Sequence, residues 1–208
     1  MKFEELTSKV PASGLFTTGQ VLSGERSVAN VRRQVDRWVK RGRIIQLRRG
    51  VYVLAAPYAK TELHPFTAAN ALKKASYVSL QSALSYYGMI PEYVPMTTSV
   101  TTGRPEELST PIGRFQFRHV VSSLFFGFQE VEIGREQTAL VATPQKALID
   151  LLYLTPGSDQ PDYLRELRLE PSAGFDYESL REMARQCGSA KVQRAVHTLM
   201  SIREKEEN

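Results

Sequence analysis

Arg26, Arg32, Arg33, Arg37, Lys40, Arg41, Arg43, Arg48 and Arg49 place nine positive charges within 24 residues, against the single acid Asp36. The remaining residues carry 18 bases against 21 acids, so the chain's net charge of +5 originates in this one stretch. A concentrated basic patch is the electrostatic footprint of a polyanion site, most often for nucleic acid. The residue types also divide by the chemistry they can do. Asn30 and Arg33 are side chains able to bond base edges in a major groove. Arg26, Ser27, Arg37, Lys40, Arg48 and Arg49 suit phosphate oxygens. These eight are the expected DNA-binding residues.

The elements that must position them can be read from the same stretch. Ser27 is placed to cap a helix, its hydroxyl accepting from a first-turn N–H. Val28, Val31, Val35, Trp38 and Val39 recur at helical spacing and form one stripe facing a core. Asn30, Arg33, Arg37 and Lys40 fall opposite it. Asp36 lies four residues from both Arg32 and Lys40, so it is expected to hold one of them. Gly42 ends the helix. Ile44–Leu47 and Val51–Leu54 read as two strands joined by an Arg48-Arg49-Gly50 turn. Upstream, Phe3, Leu6 and Val10 predict a short helix over 2–10, broken by Pro11 to Gly14. Leu15 and Phe16 pack beneath the next element, a short helix capped at Thr17 or Thr18 and running to Ser23. Gly24-Glu25-Arg26 turns into the basic helix. Helix, short helix, turn, basic helix and hairpin are the parts of a winged helix-turn-helix domain, expected over residues 1–58.

The composition changes around Lys60–Pro65, and a second domain is expected over 64–208. Helices are predicted over Phe66–Ala75, Leu80–Tyr87, from Thr143-Pro144, over Asp162–Leu169 and Asp176–Gln186, and from Ser189 to about Glu206. Thr97–Thr102, Gly113–Val121, Leu124–Ile133 and Thr138–Ala142 read as strands. Alternation puts Phe115, Phe117, His119 and Val121 on a core face, with His119 a hydrogen-bonded core residue rather than a ligand. Arg114 and Arg118 then stand outward, as a nucleic-acid surface, a contact for an acidic partner or a plain solvated face. Lys146 and Asp150 are expected to pair on the outside of their helix. The fold class is therefore α+β: a winged helix-turn-helix domain, then a mixed α/β domain with a mostly antiparallel sheet and a helical C-terminal end.

Several functional classes fit poorly. No apolar run reaches the roughly 18 residues needed to span a membrane, and Met1 to Glu5 lack the apolar region of a signal peptide, so a cytoplasmic location is expected. Cys187 is the single cysteine, read as a buried structural thiol, which leaves no internal disulfide and no cysteine-based zinc site. His64, His119 and His197 are far apart and form no metal-binding motif. No metal and no cofactor is expected. An enzyme acting on nucleic acid would need clustered carboxylates. Glu106-Glu107, Glu130, Glu132 and Asp150 are the candidates, with no third group supplied beside Glu130 and Glu132; the expectation is that the chain is not an enzyme.

The chain resembles the AbiEi antitoxins of bacterial type IV toxin–antitoxin systems. The resemblance runs through R-R-G-V-Y-V-L (Arg48–Leu54), Y-V-S-L-Q-S-A-L-S-Y-Y-G (Tyr77–Gly88), T-G-R-P (Thr102–Pro105), F-Q-F-R-H (Phe115–His119) and A-T-P-Q-K-A-L-I-D-L-L-Y-L (Ala142–Leu154). It implies a transcriptional repressor of its own toxin–antitoxin operon, binding double-stranded DNA at promoter inverted repeats. It also implies an antitoxin domain that counters a nucleotidyltransferase-like toxin, by a route that need not involve a direct complex. Inverted repeats would require a homodimer or two monomers on adjacent half-sites. The residues alone leave room for a stand-alone winged-helix transcription factor with a ligand-sensing C-terminal domain.

Overall fold

The structure, a computed structural model, describes residues 2–22, 27–92, 94–134, 136–171 and 175–206. The N-terminal part begins with α1 (Phe3–Lys9), β1 (Leu15–Thr17), α2 (Thr18–Leu22) and α3 (Val28–Lys40). A hairpin of β2 (Ile44–Arg48) and β3 (Val51–Leu54) follows. β1 was not foreseen as a strand: Leu15, Phe16 and Thr17 pair antiparallel with Val53, Tyr52 and Val51, giving a three-stranded sheet in the order β1-β3-β2.

α3 is amphipathic as its spacing requires. Val31 and Val35 are 2% exposed and Trp38 is 7% exposed. Val28, expected in the same stripe, is 45% exposed, because it stands at the open first position of the helix. Ser27 occupies the N-cap position in extended backbone, but its side chain makes no capping bond. At the other end Gly42 takes φ +66°, and the Arg43 N–H reaches the Trp38 carbonyl at 2.9 Å. That left-handed residue satisfies the last helical carbonyls and turns the chain into β2.

β3 is buried along its whole length, which means both faces of the small sheet are covered. Tyr52 and Leu54 join Phe3, Leu6, Phe16, Val31, Val35, Trp38 and Ile44 in one apolar cluster. Val51 and Val53, with Leu47, instead join the larger cluster built by the rest of the chain. The small sheet is thus shared between two cores.

The second part contains α4 (Pro65–Leu72), β4 (Ser76–Val78), α5 (Leu80–Tyr86), β5 (Met96–Thr101), β6 (Glu106–Thr110) and β7 (Gly113–His119). A 3-10 turn over Ser122–Leu124 leads to β8 (Phe128–Glu132) and β9 (Thr138–Ala142), then α6 (Pro144–Leu154), α7 (Pro161–Glu166), α8 (Tyr177–Cys187) and α9 (Ala190–Glu206). One six-stranded sheet results, in the order β6-β7-β5-β4-β9-β8. It is mixed. β4–β5, β6–β7 and β8–β9 are antiparallel, whereas β4–β9 and β5–β7 are parallel. Every residue of β4 is buried, so the sheet centre is covered on both faces; α4 packs on β4 and β9, α5 on β5, and α6 on β9 and α5.

Four expectations are corrected here. The helix read over 66–75 ends at Leu72, and Ser76–Val78 is a strand. The strand read over 124–133 shortens to Phe128–Glu132 behind the 3-10 turn. Alternation on β7 holds at Phe115 and Phe117 but not beyond: His119 is exposed, bonded through Nδ1 to the Gly103 carbonyl at 2.9 Å, and Val120 is buried in place of Val121. Lys146 and Asp150 do pair, but inside the protein, at 0% and 1% exposure.

Candidate nucleic-acid interface

α3 presents its polar residues on the side opposite Val31, Val35 and Trp38. Asn30, Arg33, Gln34, Asp36, Arg37 and Lys40 line a shallow depression there, and all but Gln34 are exposed. α3 is fixed from behind by aromatic packing, with Phe3 edge-on to Trp38 at 5.4 Å and to Tyr58 at 4.9 Å. Within the depression Arg33 is not free. Its Nη2 donates to Asn30 Oδ1 at 2.8 Å and its Nε to the Ala29 carbonyl at 3.4 Å. The two expected base-reading side chains are therefore joined in one unit.

A second cleft opens between α3 and the hairpin, lined by Thr18, Arg32, Asp36, Gln46, Arg49, Gly50 and Tyr52. The Thr18 N–H donates to the Gly50 carbonyl at 2.9 Å, tying the start of α2 to the hairpin turn. Asp36 borders both depressions and makes no ion pair with Arg32 or Lys40 among the described residues, against expectation. Arg32, Gln34, Gln46 and Thr18 were absent from the expected site. Helical spacing alone separates Arg32 from Arg33 by 100°, and only the position of the hairpin shows that this turns Arg32 toward a second wall.

Arg43 and Arg48 are spent differently. Arg26 lies outside the described residues. Arg43 stacks its guanidinium over the Phe3 ring, 5.0 Å from the centroid. Arg48, expected in the hairpin turn, belongs to β2, because a register shift between Gln46 and Arg48 lengthens that strand and leaves Arg49-Gly50 as the turn. Its Nη1 donates to the Leu72 carbonyl at 2.6 Å and to Glu106 Oε1 at 3.3 Å. Glu106 also accepts from Lys73 Nζ at 2.6 Å, and Lys73 in turn reaches the Arg104 carbonyl. The Lys73 hydrogen bond above all holds the Glu106 carboxyl below its ordinary range; burial opposes it, and the charges of Arg48 and Lys73 add to the lowering. Lys73, at the C-cap of α4, is one arm of this bridge.

In the second part the carboxylates that could serve an enzyme are enclosed or spread apart. Asp150 is enclosed: Lys146 Nζ donates to one carboxylate oxygen, while the hydroxyls of Tyr77 and Ser79 donate to the other at 2.9 and 2.8 Å. Burial pushes the Asp150 carboxyl up, while the Lys146 ammonium and the two hydroxyls pull it down. Glu106 and Glu107 lie on one edge strand of the six-stranded sheet, and Glu130 and Glu132 on the opposite edge strand. The width of the sheet thus separates Glu106 and Glu107 from Glu130 and Glu132, and Asp150 is buried on α6. Among the described residues no group of three or more His, Cys, Asp or Glu is placed to hold a metal ion. Cys187 is half-buried rather than fully buried, and burial raises its thiol pKa. No helix is long and apolar enough to cross a membrane among the described residues.

Comparison with known proteins adds two findings. Residues 12–55, from just before β1 to the end of the hairpin, match the family model described as transcriptional regulator, AbiEi antitoxin. The crystal structure of RV2827C protein from Mycobacterium tuberculosis aligns with a TM-score of 0.55 at 14% sequence identity, over 95% of this chain and 74% of that one. At that identity the likeness is one of fold. Comparison with curated proteins finds no match.

Proposed function

We propose that this chain, whose residues 12–55 are of the AbiEi antitoxin type of transcriptional regulator, binds double-stranded DNA through a winged helix-turn-helix domain spanning residues 1–58. α3 is the helix that enters the major groove and the β2–β3 hairpin is the wing. The observation that carries this reading is the outer face of α3, where Asn30, Arg33, Arg37 and Lys40 stand exposed together while Val31, Val35 and Trp38 anchor the other side. Asn30 and Arg33 read base edges. Arg37 and Lys40, with Arg26 and the uncapped hydroxyl of Ser27, hold phosphates. Arg49 at the turn, with Arg32 across the cleft, serves the strand beside the wing. Arg48 fastens the wing to the second domain, residues 64–208, through Leu72 and Glu106.

The AbiEi resemblance extends the proposal. The chain represses its own operon at promoter inverted repeats, as a homodimer or as paired monomers. Its second domain counters a nucleotidyltransferase-like toxin, and no catalytic step is assigned to it.

The test is binding of the chain to duplex DNA from immediately upstream of its own gene, beside a scrambled duplex, across a salt series. Selective binding with a steep fall in log K against log salt is the expected result. Equal affinity for both duplexes would overturn the repressor reading.

A further inference from the structure

The joined side chains of Asn30 and Arg33 carry a consequence for which base they take. An asparagine that reads adenine uses both halves of its amide, donating to N7 and accepting from the N6 amino group. Here the accepting half is engaged: Asn30 Oδ1 takes the Arg33 Nη2 proton at 2.8 Å. What the exposed pair has left to offer is the amide's N–H groups and the remaining guanidinium N–H groups, all of them donors. One lone pair is left on Oδ1, but an amino group using it would be brought against the guanidinium's positive charge. Of the major-groove edges, guanine alone offers two adjacent acceptors, O6 and N7, and no donor.

We infer that Asn30 and Arg33 act as one donor-only unit selecting guanine and rejecting adenine, an inference that rests on the proposed entry of α3 into the groove. The second bond, from Arg33 Nε to the Ala29 carbonyl, holds the guanidinium back along the first turn. Arginine then reaches DNA with part of its ordering cost already met. Each side chain has a separate duty in this arrangement. Arg33 supplies the charge and most of the donors; Asn30 orients Arg33 and loses its own adenine preference in doing so. Removing Arg33 therefore does more than weaken binding. It frees Oδ1 and returns Asn30 to adenine.

The experiment selects duplexes from a random pool with the full chain, then replaces each selected guanine singly with 7-deazaguanine, which lacks the N7 acceptor. One guanine per half-site is expected to lose about tenfold in affinity on that replacement. The Arg33→Ala chain, checked for an unchanged urea midpoint, should lose this sensitivity and prefer adenine over guanine at the same position. The doubly substituted chain, Asn30→Ala with Arg33→Ala, should prefer neither. The inference is overturned if the wild-type chain selects adenine there and loses affinity when the N6 amino group is removed, or if Arg33→Ala leaves the base preference as it was. Selection that yields no preferred sequence at all would instead topple the reading beneath it, that α3 reads DNA.

Discussion

Arg48 and Glu106 are 58 residues apart in the chain, yet the guanidinium and carboxylate meet at 3.3 Å. Glu106 is shared, since Lys73 reaches the same oxygen at 2.6 Å. The hairpin of the N-terminal part is thus held to α4 by the bond to the Leu72 carbonyl and to β6 by the bond to Glu106. Replacing Arg48 by alanine removes a charge-assisted donor from the Leu72 carbonyl and one cation from Glu106. A loss of about 1–2 kcal/mol in unfolding free energy is expected, at the low end because Arg48 is about a third exposed. The salt dependence of DNA binding should be unaltered. Arg49→Ala should instead flatten the log K against log salt slope by about one unit at no cost in stability. If Arg48→Ala flattens the slope as Arg49→Ala does, Arg48 leaves Glu106 for a phosphate when DNA binds.

The same bridge has a pH signature. Lys73 and Arg48 hold the Glu106 carboxyl below the ordinary glutamate range. A carboxyl depressed on folding contributes stability that is fully present above its unfolded pKa and is lost as pH falls through the folded value. The stability deficit of Glu106→Gln against the wild-type chain should therefore be full near neutral pH and should shrink as the pH drops below about 4.5. Urea midpoints of both chains at several pH values measure this. A deficit that is constant down to the acid limit would assign the loss to packing rather than to charge.

On α3, burial sorts residues that sequence spacing put together. Trp38→Ala should cost about 3–5 kcal/mol, because the indole is 7% exposed and packs on Phe3. Val28→Ala, at 45% exposure, should stay within about 0.5 kcal/mol. Chemical denaturation distinguishes them at once, and comparable losses would mean that Val28 is covered in solution.

How far the sequence could be read follows from which forces act locally. The α3 stripe and the Thr143 cap with Pro144 at the first helical position were legible, since both depend on residues within a turn or two of each other; Thr143 Oγ1 accepts from the Lys146 N–H as its position demands. The hairpin was legible from its apolar runs, but the bulge that moves Arg48 out of the turn was not, because nothing in Gln46-Leu47-Arg48 marks it. β6 was missed for a physical reason. Glu106–Thr110 is an edge strand whose residues are partly or wholly exposed, so it shows no apolar alternation. β3 offered a usable signal: Val51-Tyr52-Val53-Leu54 is apolar at every position, the pattern of a strand covered on both faces. In the proposed site, residue types were legible and grouping was not. No sequence rule separates Arg33, joined to Asn30, from Arg48, joined to Glu106.

Lys146 and Asp150 show the same limit most sharply, since an i,i+4 pair of opposite charges reads as a helix surface and here is a core. Removing one partner leaves an uncompensated buried charge, so Lys146→Met and Asp150→Asn are each expected to cost about 3–5 kcal/mol, the second at the lower end because Asn retains partners for the Tyr77 and Ser79 hydroxyls. The double substitution should cost less than the two singles added, with a coupling of more than about 1 kcal/mol. Gly127 supports the pair from outside. A Cβ there would stand 3.0–3.2 Å from the Lys146 stem, on a backbone at φ +71°, where L side chains are strained. Gly127→Ala should therefore destabilise by about 1–3 kcal/mol. Moreover, its cost should fall in the Lys146→Ala background, where Cγ and Cδ are gone and only the Cβ contact and the backbone strain remain. Urea titration of the four chains measures the coupling, and strictly additive losses would mean that Gly127 acts through its own backbone alone.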